Sequence, residues 1–235
     1  MIHHITNKSL SIFLYVTDCR NDHLAGQKSA DYILNYPNLY QVHIQLKQMA
    51  DTAHKKDEDK VEHFDTKEVL DEKVAVVADL ILKSKHFIAF TGAGISTSCG
   101  IPDFRSGVNT VLKTGPGAWE KKAQGVKNAP NKNVVESKCA IPSFTHMTLV
   151  TLEKMGLLKF LISQNTDGLH IRSGFNPKNL AELHGNRCLE KCSKCNSQFL
   201  RDFRTREAKT VHDHKTSRKC EKCGGVLCDS IINFG

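Results

Sequence analysis

No apolar run in this 235-residue chain approaches the ~20 residues that a membrane-crossing helix needs, so no membrane partner is expected. A secretory leader is poorly supported too: Ser9 to Val16 (SLSIFLYV) is apolar but has no basic n-region before it and no clean small-residue cleavage site after it. The chain also lacks a complete dinucleotide fingerprint. The short run Phe87-Ile88-Ala89-Phe90-Thr91 reads as a buried strand and is followed at once by Gly92-Ala93-Gly94. Thr97 stands where a third glycine belongs, and no acidic residue clearly occupies the place about 20 positions further on. The turn and the hydroxyls of Ser96, Thr97 and Ser98 suit the start of a phosphate-binding helix, but a lone GxG is equally a structural turn.

Composition sets the remaining bounds. Charged residues make up 25% and hydrophobic residues 40%, ordinary values for a soluble globular protein, and this length suits one large domain, alone or carrying a small one. The net charge of +8 is unevenly spread. Asp51 to Lys73 carries net −4 and Arg105 to Lys159 net +6; the basic excess could meet an acidic surface such as chromatin or nucleic acid, or be a solvated lysine face.

Residues 1–63 form an extension of uncertain order, with a turn at Asn35-Tyr36-Pro37-Asn38, a short helix over Leu39 to Met49 and a charged linker at His54 to Lys60. Asp65 reads as a helix cap with Glu68 three residues on, and Val69, Val74, Val77 and Ile81 recur at helical spacing as far as about Lys83. After Arg105 the frequency of Gly and Pro through Pro130 predicts a long loop, either a lid or disordered. Pro142 and Ser143 then start a helix over Phe144 to Met155, which Gly156 stops. Lys159 to Ser163 reads as a second strand delivering Gln164-Asn165-Thr166-Asp167 to its carboxyl end, the ligand edge of an open α/β sheet. Leu180 to Leu183 is a third strand leading to His184-Gly185, and Ser230 to Phe234 a final one.

Nine cysteines would suit a disulfide scaffold in a short secreted chain, yet Cys192, Cys195, Cys220 and Cys223 form two CxxC hooks. Four thiolates satisfy tetrahedral Zn²⁺ with no open position, so the metal is expected to be structural. Four unrelated buried or oxidised cysteines are the alternative. Cys188, Cys228, His212 and His214 lie nearby and are read as bystanders.

In combination, GAGISTSCGIPDFR at Gly92 to Arg105, QNTD at Gln164 to Asp167, LHGN at Leu183 to Asn186 and the two CxxC pairs resemble the sirtuin family of NAD-dependent protein deacylases. The stretch THMTLVTLEKMGLLKFLISQNTDGLH and the ending CDSIINFG look most like its nuclear class IV branch, and the likeness runs from about Phe64 to Gly235. The resemblance implies an α/β fold with a Rossmann-like parallel sheet over residues 64–186 and a cofactor loop at 103–130. It implies a small zinc-ribbon module, built on the four CxxC cysteines and inserted at 187–229, and a return strand at 230–235. It implies NAD as co-substrate, acylated protein substrates with histone tails among them, and a nuclear or cytoplasmic location.

Residue by residue, His184 matches the catalytic base, and an imidazole with an ordinary pKa near 6.5 suits proton transfer near neutrality. Gly92, Ala93, Gly94, Ser96 and Thr97 match the pyrophosphate cradle. Asp103, Phe104 and Arg105 match the start of the cofactor loop, Asn165 and Asp167 the ribose and carboxamide contacts, and Gln164 the adenosine-side ribose. Thr166 stands where the family usually has an apolar residue or cysteine, a departure that bears on nicotinamide affinity. Sirtuins continue past the last strand with a Gly-Glu pair, further strands and helices, and a Gly-Thr-Ser turn. Those elements are missing here, so the chain reads as a fragment expected to bind NAD poorly. Two other activities are compatible with these residues: an inert zinc and chromatin-binding module, and mono-ADP-ribosyl transfer at the same NAD site.

Overall fold

The computed structural model describes residues 62–125, 131–210 and 212–233, together with the backbone of strands at residues 2–4 and 12–17. The turn at Asn35 to Asn38, the helix at Leu39 to Met49 and the linker at His54 to Lys60 lie outside the described residues.

Three parallel strands carry the larger unit. Strand β3 (His86–Thr91) pairs with β4 (Leu158–Ser163), and β4 with β5 (Leu180–Glu182). Residues 87–91 of β3 are buried without a break, as expected of a parallel strand covered on both faces. The other edge of β3 pairs antiparallel with β2 (Ile12–Thr17), which in turn pairs with β1 (Ile2–His4), so the sheet is mixed. Two segments of the stretch read as an extension thus join the sheet, β2 beside β3 and β1 at the edge.

Helix α1 (Lys67–Lys83) runs as its periodicity predicts, but its cap is Thr66, whose hydroxyl accepts from the Val69 N–H. Asp65 instead pairs with Lys73 at 2.7 Å. After β3 the chain winds as a 3₁₀-helix (Ala93–Cys99) ending at Gly100. The expected long loop holds a short helix, α2 (Ala118–Ala123). Helix α3 (Phe144–Lys154) starts at Ser143 as read from sequence, in a capping box where the His146 ring takes the role usually given to Glu or Gln. A four-residue helix, α4 (Leu169–Arg172), follows the QNTD stretch. Phe87, Ala89, Leu149, Val150, Leu158, Leu161 and Phe175 form the core between sheet and helices, with Val77 and Ile81 of α1 packed against it. Each large side chain buried there contributes on the order of 1.5–3 kcal/mol.

The second unit is an antiparallel sheet ordered β7 (Gln198–Leu200), β6 (Leu189–Cys192), β9 (Val226–Asp229), β8 (Lys215–Lys219). Residues 230–233, expected to begin a return strand, are not a strand. They make isolated bonds to the loop after β5: Ile232 N–H donates to the His184 carbonyl at 3.1 Å, and the Asn186 N–H donates to Ser230 Oγ at 3.1 Å. A ladder needs repeated backbone pairs, and this contact supplies one.

Candidate functional site

The carboxyl ends of β3, β4 and β5 bring three separated sequence motifs together. Gln164 continues from β4 and donates its N–H to the Thr91 carbonyl at the end of β3, while Leu183 does the same to Ser163 across β4 and β5. Buried Asn165 directs its Nδ2 at the Gly92 carbonyl (3.0 Å) and at Ser96 Oγ (3.2 Å). The Ser96 hydroxyl donates in turn to Asp167 Oδ2 at 2.7 Å, and Asp167 Oδ1 accepts the Leu169 N–H at the start of α4. The glycine turn and the QNTD stretch are therefore one buried hydrogen-bonded unit.

His184 follows β5 after Leu183, and its Nδ1 lies 2.9 Å from the Gln164 carbonyl. A carbonyl can only accept, so the hydrogen sits on Nδ1 and the neutral ring keeps its basic lone pair on Nε2. The loop behind the ring is closely packed. Gly185 has φ of 74°, and a β-carbon there would stand 1.8 Å from the Ser230 carbonyl oxygen, so no other residue fits without movement.

Asn186 Nδ2 donates to Glu182 Oε1 at 2.9 Å, tying the first residue after the His-Gly turn back to β5. Burial pushes the Glu182 carboxyl up to about 7; the Asn186 bond opposes this and the nearby charge of Asp167 adds to it.

The candidate cofactor loop forms a second unit. Asp103 accepts from the Ser106 backbone N–H at 3.2 Å, and the Asp103 and Phe104 carbonyls accept from the N–H groups of Ala118 and Trp119 at the start of α2. The Phe104 ring lies 5.0 Å from Trp119 and the Arg105 guanidinium 5.3 Å from the same indole. Gly117 allows this closure, since a β-carbon there would lie 2.3 Å from the Arg105 nitrogen. Phe104 remains 47% exposed, so its ring can still cover a ligand. Between this loop region and the 3₁₀-helix is a cavity of about 680 Å³ lined by Gly94, Thr97, Cys99, Lys113, Asn133 and Ile141. Asn165, Asp167 and His184 are not among its lining residues, so the cavity extends from the glycine turn away from them.

In the smaller sheet, the sulfurs of Cys192, Cys195, Cys220 and Cys223 all lie within 4.8 Å of one another, with Cys192–Cys223 at 3.5 Å and Cys195–Cys220 at 3.6 Å. Zn–S bonds of about 2.3 Å in a tetrahedron place sulfurs about 3.8 Å apart, so the set fits this ion. The backbone N–H of Cys195 points at Cys192 Sγ and lowers its pKa, favouring the thiolate that a metal takes up. Beside the cluster, fully buried Glu190 accepts from Arg201 Nε (2.9 Å), Arg218 Nε (2.6 Å) and Thr216 Oγ1 (3.0 Å), and Asp229 faces Arg206 and His214. Arg201, Arg206 and Arg218 are thus engaged internally. Cys188 and Cys228 lie outside the four-sulfur cluster, as does His214.

All three motif groups named from sequence at the strand ends are brought together here, and all four CxxC cysteines meet. Sequence reasoning missed Glu182, Trp119 and the histidines of α3 and α4. Asn186, within LHGN, and Trp119, the single tryptophan, offered a signal; Glu182 offered none.

Residues 92–235 match the Sir2 family. The NAD-dependent protein deacetylase SRT1 of Arabidopsis thaliana is 48% identical over 176 residues, covering 74% of this chain and 34% of that protein. The NAD-dependent protein deacetylase Sirt6 of Drosophila melanogaster is 39% identical over 183 residues, covering 74% of this chain and 53% of that protein. Among solved structures, a Sir2 homolog–NAD complex is 28% identical and covers 78% of this chain and 64% of that chain, with a TM-score of 0.42. The chain spans about a third to a half of the length of these curated relatives.

Proposed function

Because the chain belongs to the Sir2 family, we propose that its residues form the core of an NAD-dependent protein-lysine deacetylase. The observation that carries this reading is the position of His184, with its lone pair on Nε2, beside the Asn165–Ser96–Asp167 unit at the strand ends. NAD supplies an activated ribose carbon that takes up the acyl oxygen as nicotinamide leaves.

The residues present suit that co-substrate. The Gly92–Ala93–Gly94 turn leaves room for close backbone approach, and Ser96 and Thr97 stand on the 3₁₀-helix that follows. In this reading Asn165 and Asp167 orient the reacting ribose and carboxamide, and their mutual bonds through Ser96 limit their motion. Gln164 takes the adenosine-side ribose. Asp103, Phe104 and Arg105 open the loop whose exposed aromatic ring covers the site and excludes water. His184 would accept a proton at Nε2 from a ribose hydroxyl and hold it there as an imidazolium, while its Nδ1–H stays on the Gln164 carbonyl. Thr166, the departure from the family pattern, accepts at Oγ1 from Arg187 Nε (3.1 Å).

The Zn²⁺ held by Cys192, Cys195, Cys220 and Cys223 is structural, since four sulfurs leave no position for substrate. The substrate is an acylated lysine in a protein, with histone tails and a nuclear location carried over from the family resemblance. A chromatin-binding role for the zinc module is the weaker reading, because Arg201, Arg206 and Arg218 are committed to Glu190 and Asp229. Nicotinamide release in the presence of acetylated histone peptide tests the proposal. Release that needs both peptide and His184 supports deacetylation. Release with transfer of ADP-ribose to protein points to mono-ADP-ribosyl transfer, and no release from the folded protein overturns the enzymatic reading.

A further inference from the structure

Two buried histidines take no part in the chemistry above, although one of them reaches the end of β3 and both stand on helices beside the candidate site. His146 on α3 and His170 on α4 are 0% and 2% exposed, with ring centroids 4.8 Å apart. The Ser143 N–H donates to His146 Nδ1 at 3.2 Å, so that nitrogen carries a lone pair and the hydrogen of the neutral ring is on Nε2. His170 Nε2 lies 2.9 Å from Thr91 Oγ1. Among the described residues, two ring nitrogens are buried with no partner, His146 Nε2 and His170 Nδ1. A buried polar atom left unsatisfied costs about 1–3 kcal/mol, and in native proteins such atoms are nearly always paired, often through an ordered water.

We infer that one buried water joins His146 Nε2–H to His170 Nδ1, and that the two rings are positioning residues locking together three segments of the candidate cofactor site. The water accepts from His146 and donates to His170. That sets the hydrogen of His170 on Nε2, where it donates to the Thr91 hydroxyl. The linked segments follow from the contacts. Thr91 precedes Gly92, whose carbonyl holds Asn165. Ser143 Oγ lies 2.7 Å from His146 Nδ1 and 3.0 Å from the Ile95 carbonyl, next to Ser96, so its single hydrogen is shared between those two acceptors. His170 lies on the helix that begins on Asp167 Oδ1.

Both rings are suited to a fixed, uncharged role. Burial, with a contribution from His146, pushes His170 down to about 3, and burial lowers His146 also.

The inference rests on the deacetylase reading only for its link to the cofactor, and the tests separate the two. Nitrogen NMR of the histidine-labelled chain at neutral pH is expected to show both rings neutral with hydrogen on Nε2. An Nδ1–H tautomer, or a charged ring, in either residue overturns the arrangement. A crystal structure showing the gap empty, or a direct ring-to-ring bond, removes the water.

For the positioning role, His170→Phe keeps a ring and loses both bonds, whereas His170→Gln places an amide N–H where Nε2 stood. The Phe variant is expected to raise KM for NAD about tenfold, the equivalent of one hydrogen bond, with kcat changed far less, and the Gln variant to recover most of that loss. Equal losses in both variants, or a loss confined to kcat, overturn the role. If the parent protein releases no nicotinamide, the functional reading fails by itself. Amide exchange then decides the pair: protection over residues 92–96 and 165–169 must fall together in His170→Phe and return in His170→Gln, and independent behaviour of the two segments refutes it.

Discussion

Ser96 and Asp167, 71 positions apart in the chain, share a 2.7 Å hydrogen bond between two buried side chains, and it joins the glycine turn to the QNTD stretch. Ser96→Ala leaves the buried carboxylate one donor short. The expected outcome is a loss of about 1–3 kcal/mol in stability by denaturant titration. A loss of at least tenfold in NAD affinity by calorimetry should accompany it. Unchanged NAD affinity in a destabilised variant would assign the bond to folding alone.

His184 is half-buried, so His184→Ala should fold, with stability lowered by about the 0.5–1.5 kcal/mol of its bond to the Gln164 carbonyl. Removing a general base typically costs 10²–10⁴-fold in rate. Acetyl-peptide turnover followed by mass spectrometry should fall by about that factor. His184→Asn, which places an amide donor where Nδ1 faced the Gln164 carbonyl and has no basic nitrogen, should be as inactive as the alanine variant.

Glu182 gives the fold a pH dependence of definite sign. Its carboxyl is pushed up to about 7, so the folded chain holds a proton that the unfolded chain releases near the ordinary value of 4.5. Its contribution is fully present below pH 4.5 and is lost as the pH rises toward 7, above which the buried charge is a constant cost. Glu182→Gln keeps an acceptor for Asn186 and removes that cost. The variant should match the parent near pH 4.5 and exceed it at pH 8, by at most on the order of 3 kcal/mol. Parallel melting curves at both pH values would show that Glu182 titrates normally.

For the cysteine cluster, one zinc per chain is expected by elemental analysis. Cys192→Ser, or a strong chelator, should unfold residues 187–229 because structural zinc binding is coupled to folding. Loss of dispersed amide signals from that unit, with the parallel strands retained, is the expected spectrum. A metal-free preparation with the smaller sheet intact would remove zinc from the account.

The local pattern carried a large part of this architecture. The apolar run before Gly92, the Pro142-Ser143 helix start and the Lys159 to Ser163 run each determined an element within a residue or two, because buried strands and helix caps are set by neighbours in the chain. The CxxC hooks likewise announced their own chemistry. Where a competing partner intervened, the reading shifted. Thr66 took the cap from Asp65, which is engaged by Lys73, and residues 230–233 found only isolated bonds where a strand was expected.

What sequence alone determined, then, was the inventory: a glycine turn after a buried strand, polar residues after a second, a histidine after a third, and four thiols in two pairs. Only the tertiary structure decided how they act on one another. The tautomer of His184 depends on a carbonyl 20 positions away, and the join between Ser96 and Asp167 on the register of two parallel strands. The protonation of Glu182 depends on burial that no spacing encodes, and the tilted approach of the His146 and His170 rings on how their two helices are placed by the fold. Hydrogen bonds and desolvation act through space, so these properties arise only when distant segments meet.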